Sequence, residues 1–285
     1  MSGFSADWLA LREPADHRSR NAELAGRVGT RFAGQDVTRI VDLGSGTGSN
    51  LRATAPLLGN RQEWTLVDYD AGLLETAAKV LSGWADEARA IGDDLVLVKG
   101  EATIGVKFRV VDLNRDLDTV LAGKPDLVTA SALFDLISEA WMKRFASALK
   151  AAGSAFYTVL TYNGQDQFIP EHPFDFGVTR AFAMHQRRDK GFGPAAGPEA
   201  AAALVAALRH EGYAVDTGDS PWILKPSDAE LVRELLKGIA KAVEETGFIV
   251  DKGLADWLFY RDAMCDQKGS RMMTGHTDIF ATLPA

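Results

Sequence analysis

Apolar runs rich in β-branched residues alternate with helical patterns between about residue 38 and residue 160. This alternation is typical of a mostly parallel sheet that carries helices on both faces. The runs that predict core strands are 38–43, 63–69, 107–113, 125–131 and 154–162, and a run at 94–100 predicts an extra strand or hairpin arm. With two later strands, the pattern predicts an α/β fold on a doubly wound, mostly parallel, seven-stranded sheet.

The segment after Asp70 shows a clear helical periodicity. Its apolar positions recur at the spacing of one helix face, and Asp70 is of a residue type that caps helix starts. The stripe consists of Leu73, Leu74, Ala77, Ala78, Leu81, Trp84, Ala85 and Ala88. We therefore expect a helix that packs on the sheet, with Asp70 as its N-cap.

The rest of the chain divides by composition within a single predicted domain, 1–285. Residues 1–35 predict an N-terminal helical arm, and 36–162 form the core described above. Residues 163–198 are rich in Gly, Pro, Phe and charge and are too long for a plain connection, so they predict a lid or substrate loop.

The C-terminal part, 199–285, begins with an alanine-rich helix and continues into a strand at about 213–224. A helical insertion at 227–272 precedes the last strand, 276–284. Ser227 and Glu230 have the spacing of a capping box, which favours a helix start there.

Composition narrows the class of protein. The 285 residues are 46% hydrophobic and 25% charged, as in ordinary globular proteins. A net charge of −8 disfavours nucleic acid as a partner, so we expect a small molecule. The single cysteine, Cys265, can form neither an internal disulfide nor a thiolate metal site, and we expect no metal and a cytoplasmic location. We expect no leader and no membrane span, and the sequence does not indicate an oligomeric state.

A glycine-rich turn follows the first core strand. The sequence IVDLGSGTGSN, 40–50, places Asp42 ahead of Gly44, Gly46 and Gly48. Glycines at alternate positions allow a sharp turn and a close approach of the backbone to a ligand. A dinucleotide fingerprint requires its third glycine at position 49, where this chain has Ser49.

Acidic residues stand near the ends of the next two core strands. Asp68 follows Gly44 by 24 residues and can accept two hydrogen bonds from a ribose diol. Asp112 is placed to accept from an adenine amino group while Leu113 covers the ring. The carboxyl ends of neighbouring strands form the crevice in which open α/β sheets bind ligands.

These motifs, in this order and spacing, resemble those of class I S-adenosylmethionine-dependent methyltransferases, over about residues 36–162. The resemblance makes 36–162 a cofactor-binding core and S-adenosylmethionine the cofactor. It also implies that the tail of the segment 126–137, from Ser131 to Asp135, lines the methionine and acceptor side. The residues implied in cofactor binding are Asp42, Gly44, Ser45, Gly46, Gly48, Asp68, Tyr69, Asp112, Leu113 and Ser131.

The N-terminal arm contains two arginines that could complete this site. In many enzymes of the resembling family the N-terminal segment folds over the cofactor, so Arg12 or Arg20 could pair with the methionine carboxylate. We take Arg20 as the candidate. Ordinary pairing at the surface is the alternative for both.

The acceptor side is not carried over by the resemblance, because the C-terminal third departs from the family core. His172, His185 and Asp135 are the candidate general bases. The cluster Arg187, Arg188 and Lys190 could bind an anionic acceptor. The alternatives are histidines with structural partners and a solvated run of charge.

The expected reaction is methyl transfer to an oxygen or nitrogen of a small acceptor, with an anionic acceptor slightly favoured. Carbon methylation of pyrimidines uses a cysteine, and Cys265 lies in the helical insertion, far from the segment 126–137 that resembles the family's fourth-strand motif. No Asn/Asp-Pro-Pro-aromatic segment follows that strand, as amino methylation of DNA bases would require. A non-catalytic S-adenosylmethionine-binding or scaffold protein remains an alternative. An NAD-dependent oxidoreductase is a weaker one, because of Ser49.

Overall fold

One mixed sheet runs through the computed structural model, which describes residues 4–249 and 251–284. The strands are β1 (Thr38–Leu43), β2 (Arg61–Asp68), β3 (Glu87–Ile91), β4 (Asp94–Lys99), β5 (Ala102–Val110), β6 (Leu127–Ser131), β7 (Ala155–Ile169), β8 (Ala214–Asp219), β9 (Trp222–Leu224) and β10 (Arg271–Thr282). Their order is β3-β4-β5-β2-β1-β6-β7-β10-β8, and β9 pairs with β10.

The five central strands, β5, β2, β1, β6 and β7, are parallel. From β1 the chain first builds β2 and β5 on one side and later returns to build β6 and β7 on the other. The strand order therefore reverses between β1 and β6, which makes this position the switch point of a doubly wound sheet. The predicted fold class is confirmed, with ten strands in the described residues where seven were predicted.

The helices lie in two layers. They are α1 (Ala6–Ser19), α2 (Ala22–Phe32), α3 (Ser49–Thr54), α4 (Ala71–Trp84), α5 (Leu113–Leu121), α6 (Glu139–Ala152), α7 (Asp175–Gln186), α8 (Ala200–His210), α9 (Ala229–Glu244) and α10 (Asp251–Met264). The arm helices α1 and α2 share one hydrophobic core with α3, α4, α7, α9 and α10. The other core is formed by α5, α6 and α8.

The hairpin of β3 and β4 is one source of the extra strands. The periodicity after Asp70 predicts a helix that reaches Ala88, but α4 ends at Trp84 and β3 follows. Every residue of β3 is exposed, so the strand has no buried face to give its sequence an apolar alternation. The two-residue turn at Gly92, whose φ is +61°, is the local signal that identifies the hairpin.

Residues 163–198 are more ordered than the predicted loop. β7 continues to Ile169 and pairs with β10 on its way, and α7 follows. The irregular part is confined mainly to 187–196, which we call the 187–196 turn. In the described part of the chain, no helix is both long enough and apolar enough to cross a membrane.

Candidate active site

The glycine loop after β1 has the backbone that its sequence requires. Gly44, Gly46 and Gly48 have φ values of +62°, +52° and +76°, in the left-handed region that favours glycine. A Cβ at Gly46 would lie 3.0 Å from Cδ1 of Leu9 in α1, and one at Gly44 would lie 3.2 Å from Cδ1 of Leu133. The loop, which we call the glycine cradle, therefore packs closely against Leu9 and Leu133 and has no room for larger residues at Gly44 and Gly46.

Asp68 at the end of β2 holds this loop. Its Oδ2 accepts from the Gly46 N–H at 2.8 Å, and its Oδ1 accepts from the Asp70 N–H at 3.0 Å. Burial raises the pKa of the carboxyl, and the two N–H donors act against that rise. Each carboxylate oxygen can accept a further hydrogen bond, so Asp68 can fix the loop and still bind hydroxyl groups.

Asp70 is the N-cap of α4, as predicted. Its Oδ1 accepts from the N–H groups of Gly72 at 2.8 Å and Leu73 at 3.3 Å. We expect Asp70→Ala to lower the free energy of unfolding by about 1 kcal/mol, because the first turn loses its cap. Urea denaturation measures this change. A loss smaller than a few tenths of a kcal/mol would contradict the assignment of Asp70 as the N-cap of α4.

Asp42 supports the glycine loop from below and is not exposed. Its Oδ1 accepts from Asn50 Nδ2 at 2.7 Å, and the same amide nitrogen donates to Thr129 Oγ1 at 3.0 Å. Within the described ranges the Oδ2 atom has no hydrogen-bond partner, and burial raises the pKa of the carboxyl to about 7. The structure thus corrects the expectation of a cofactor contact: Asp42 is a buried support of the loop.

Arg20 is also bound within the protein. It donates to Thr54 Oγ1 at 3.0 Å and to Asn50 Oδ1 at 2.9 Å, both on α3. Its two terminal nitrogens thus hold α3, while Nε has no partner among the described residues, and the expected pairing with a methionine carboxylate stays a prediction. Ser45, within the loop, is buried, and its Oγ has no hydrogen-bond partner in the part of the chain that the structure describes.

The strand end next to Asp68 differs from the prediction. β5 ends at Val110, so Asp112 becomes the exposed N-cap of α5 and accepts from the Asn114 N–H at 2.9 Å. Leu113 is buried in the core and cannot cover an adenine ring. Instead, Tyr69 and Val110, which are 50% and 61% exposed, stand at adjacent strand ends. These two side chains are the apolar surface that a flat ring could cover.

Strained backbone marks the end of β6 and the neighbouring position within β7. Three non-glycine residues in the described ranges have positive φ. Two of them are Ala132 (+50°), just after β6, and Leu160 (+58°), inside β7 next to the Val159 that pairs with the last residue of β6. The Ala132 N–H donates to Val159 O at 3.0 Å, and the Leu160 N–H donates to Oδ1 of the fully buried Asp278 at 2.8 Å. Backbone strain of this kind clusters at functional sites. Because neither position is a glycine, the sequence gives no sign of the positive φ.

Asp135 lies just beyond β6, after Ser131, and has the environment of a proton acceptor. Its Oδ1 is enclosed and has no hydrogen-bond partner among the described residues. Burial raises the pKa of its carboxyl to about 6, against the opposing charges of Arg12 and Lys190. A carboxyl of this pKa is ionised at neutral pH and is a stronger base than an exposed aspartate.

The two candidate histidines already have partners among the C-terminal helices. His172 Nδ1 accepts from the Phe174 N–H at 3.2 Å, and its ring packs 4.9 Å from that of Tyr260 in α10. His185 Nε2 lies 3.0 Å from a carboxylate oxygen of Glu245. Burial is the main cause that lowers the pKa of His185. Neither ring shows a contact with Asp135 in the described residues.

The predicted cationic cluster is mostly paired. Arg187 forms an ion pair with Glu199, and Arg188 lies 3.0 Å from Glu245. These partners were not visible from the sequence, because they come from elsewhere in the chain. Lys190 forms no ion pair within the described ranges, and its charge acts on Asp135. The structure therefore leaves Lys190 as the unpaired cation of the 187–196 turn.

No protein-family profile and no curated protein matches the chain. Solved structures do match. A phosphoethanolamine N-methyltransferase of Haemonchus contortus, in complex with phosphomonomethylethanolamine and S-adenosylhomocysteine, is 14% identical, with a TM-score of 0.42 over 93% of this chain and 53% of that one. The chain thus spans about half the length of that enzyme.

Two further matches extend over nearly the whole of both proteins. A cyclopropane-fatty-acyl-phospholipid synthase-like protein of Lactobacillus casei is 15% identical, with a TM-score of 0.49 over 94% of this chain and 98% of that one. An S-adenosylmethionine-dependent methyltransferase of Thiobacillus denitrificans, in complex with S-adenosylhomocysteine, is 15% identical, with a TM-score of 0.41 over 97% and 98%. At such low identities and TM-scores, activity has to be argued from the residues of the site. The strand order and switch-point loop give the chain the doubly wound, Rossmann-like fold that the resemblance to class I methyltransferases predicts.

Proposed function

We propose that the protein is an S-adenosylmethionine-dependent methyltransferase that acts on an oxygen or nitrogen of a small molecule. The observation that carries this proposal is the glycine cradle at the switch point, held by Asp68 next to an exposed apolar surface. The left-handed backbone of Gly44, Gly46 and Gly48 forms a sharp strand-to-helix turn, which is the kind of turn that allows a ligand to approach the backbone.

The residues of the crevice fit this cofactor. Asp68 would accept from the ribose hydroxyls, and Ser45 and the glycine backbone would bind the polar methionine portion. Tyr69 and Val110 would pack against the adenine ring. This contact would remove the exposed apolar surface of both side chains from water, which favours binding. When bound, S-adenosylmethionine supplies an electrophilic methyl group, so the chain mainly has to align the acceptor and exclude water.

Asp135 would receive the proton that the acceptor's O–H or N–H loses as that oxygen or nitrogen takes the methyl group. Alignment of two reactants can account for roughly 7–11 kcal/mol of barrier reduction. A general base adds about 10²- to 10⁴-fold. Ser131 and Asp112 remain candidates for the edge of the cofactor site, and Lys190 for contact with the acceptor.

A non-catalytic binding protein is the second candidate function, and Asp135 is the observation against it. A scaffold has no need of an enclosed carboxyl with an unpartnered oxygen beside the crevice. An NAD-dependent enzyme is disfavoured because Ser49 occupies the third glycine position and its Oγ lies 3.0 Å from His17 Nε2.

Transfer of labelled methyl from S-adenosylmethionine to fractionated small-molecule extracts tests the proposal. We expect label in a small-molecule fraction with the native protein and about 10²- to 10⁴-fold slower labelling with Asp135→Asn. Binding of S-adenosylhomocysteine without transfer to any fraction would favour the non-catalytic alternative. Equal rates for the two proteins would remove Asp135 from the mechanism.

The pH dependence of the same assay is a separate prediction. Because the pKa of Asp135 is raised to about 6, its basic form accumulates as the pH rises through that value. We expect the transfer rate at low acceptor concentration to rise roughly tenfold per pH unit below about pH 6 and to level off above it. A rate that falls over this range would contradict the role of Asp135 as a base.

A further inference from the structure

The strand β3 is an open edge of the sheet. All five of its residues are exposed, and no side chain forms a hydrogen bond or an ion pair with it in the described ranges. The opposite edge strand, β8, is held by the arm helix α2 and its N-cap, since Asn21 Nδ2 donates to the carbonyl of Asp219 at 3.1 Å and Arg27 pairs with Asp216 at 2.8 Å. Uncovered edges such as β3 are surfaces on which another strand can pair.

The pairing of β3 with β4 decides which backbone groups of the edge point outward. Ile91 pairs with Asp94 across a two-residue turn, and residues that flank such a turn exchange both of their hydrogen bonds. Hydrogen-bonded pairs alternate with non-hydrogen-bonded pairs, so every second residue from Ile91 back to Glu87 bonds to β4. The N–H and C=O groups of Ala88 and Ala90 therefore point away from the sheet, towards a further strand.

The charged side chains of β3 make the edge complementary to itself. Glu87 and Arg89 are two residues apart, so they lie on the same face of the strand, and both are exposed. A two-fold axis through Ala88 would pair two copies of β3 antiparallel, with Glu87 of each copy directly opposite Arg89 of the other. Opposite charges that face each other across two strands stabilise the pair.

The neighbouring registers lack this complementarity. An axis through Arg89 would place the two copies of that arginine opposite each other. An axis through Ala90 would place Glu87 opposite Asp93 of the second copy. Like charges in directly opposite positions are destabilising, so the charges select the register that is centred on Ala88.

We propose that the protein forms a two-fold dimer through β3, in which the two sheets become continuous and Ala88 stands opposite Ala88 of the second copy. In this register each Ala88 N–H donates to the carbonyl of the other Ala88. A five-residue strand buries little surface, so we expect a weak dimer that dissociates on dilution. The inference does not depend on the proposed function.

Analytical ultracentrifugation of the full chain tests the dimer and its register. We expect a reversible monomer–dimer equilibrium between about 5 µM and about 0.5 mM, the range in which a small interface is populated. Glu87→Arg and Arg89→Glu should each weaken the dimer about tenfold or more, because both cross-strand pairs become like-charged. The double variant with both changes should recover the native dimer affinity to within about twofold, because the charges are exchanged and not lost.

A charge reversal elsewhere on the surface is the matched control. Glu171, just after β7, is exposed and forms no ion pair in the described part of the chain. Glu171→Arg changes the net charge as Glu87→Arg does, and should leave the dimer affinity within about twofold.

A symmetric disulfide tests the register independently. In the proposed dimer the two Ala88 Cα atoms are about 5.5 Å apart, within the range that a disulfide spans. We expect Ala88→Cys to cross-link on oxidation. Ala90→Cys should not, because the two copies of position 90 are four residues out of register, about 13 Å apart. The native Cys265 is buried and does not compete.

Four results would each overturn the inference. The chain could stay monomeric up to the highest concentration, which would leave the edge to a strand of a different protein or to none. The dimer could be insensitive to both single reversals, or the double variant could fail to restore it. Ala90→Cys could also cross-link as readily as Ala88→Cys.

Discussion

Replacement of Asp68 by alanine is expected to weaken S-adenosylhomocysteine binding by about 30-fold or more. The ribose hydroxyls would lose a charged acceptor, which is worth about 2 kcal/mol. The Gly46 N–H would also lose the carboxylate oxygen that holds it at 2.8 Å, so the glycine cradle would lose its support. Isothermal titration calorimetry of the native protein and the variant measures the change.

Asp70→Ala is the matched control for this result. It removes a carboxylate two residues away, but that carboxylate caps α4 and does not hold the glycine loop. We expect its affinity for S-adenosylhomocysteine to stay within about twofold, with the loss confined to stability. A larger loss of affinity in Asp70→Ala than in Asp68→Ala would show that the ribose acceptor lies at position 70.

The second large effect concerns stability. In the unfolded chain Asp42 titrates near its ordinary value of 3.8, whereas burial raises its pKa to about 7 in the folded protein. Between these values the folded protein retains a proton that the unfolded chain releases, so this contribution to stability falls as pH rises and is lost above about pH 7. A shift of about three units corresponds to about 4 kcal/mol at most.

Asp42→Asn should remove this dependence, because the amide is neutral and its oxygen can still accept from Asn50. Urea denaturation of both proteins at several pH values isolates Asp42 from the other buried acids. We expect the variant's stability relative to the native protein to increase from about pH 4 to about pH 8 by up to about 4 kcal/mol. A difference that does not change with pH would mean that Asp42 is ionised in the folded state.

Much of the cofactor side could be predicted from the sequence, because its signals are local. β1 was predicted with its observed bounds, and the glycines with positive φ follow it directly. The N-cap role of Asp70 also depends only on its own neighbours. Asp112 shows the limit of such signals, since the pattern did not show that β5 ends two residues earlier.

The contacts of the C-terminal part with the rest of the chain could not be predicted in the same way, because the residues concerned meet only in three dimensions. Trp222, His276 and Arg12 come from distant segments, and none belongs to a motif. The strain at Leu160 depends on Asp278, 118 residues further along the chain. The partners of Arg187 and Arg188 are Glu199 and Glu245. Because both glutamates lie outside the segment of the arginines, its composition could not predict these ion pairs.

Calorimetric titration of the native protein with S-adenosylhomocysteine and with NAD tests the central claim most directly. The glycine cradle, Asp68 and the apolar strand ends predict saturable 1:1 binding of S-adenosylhomocysteine and much weaker binding of NAD, whose fingerprint requires a glycine where the chain has Ser49. Tighter binding of NAD than of S-adenosylhomocysteine would contradict the assignment of this crevice to a methyltransferase cofactor.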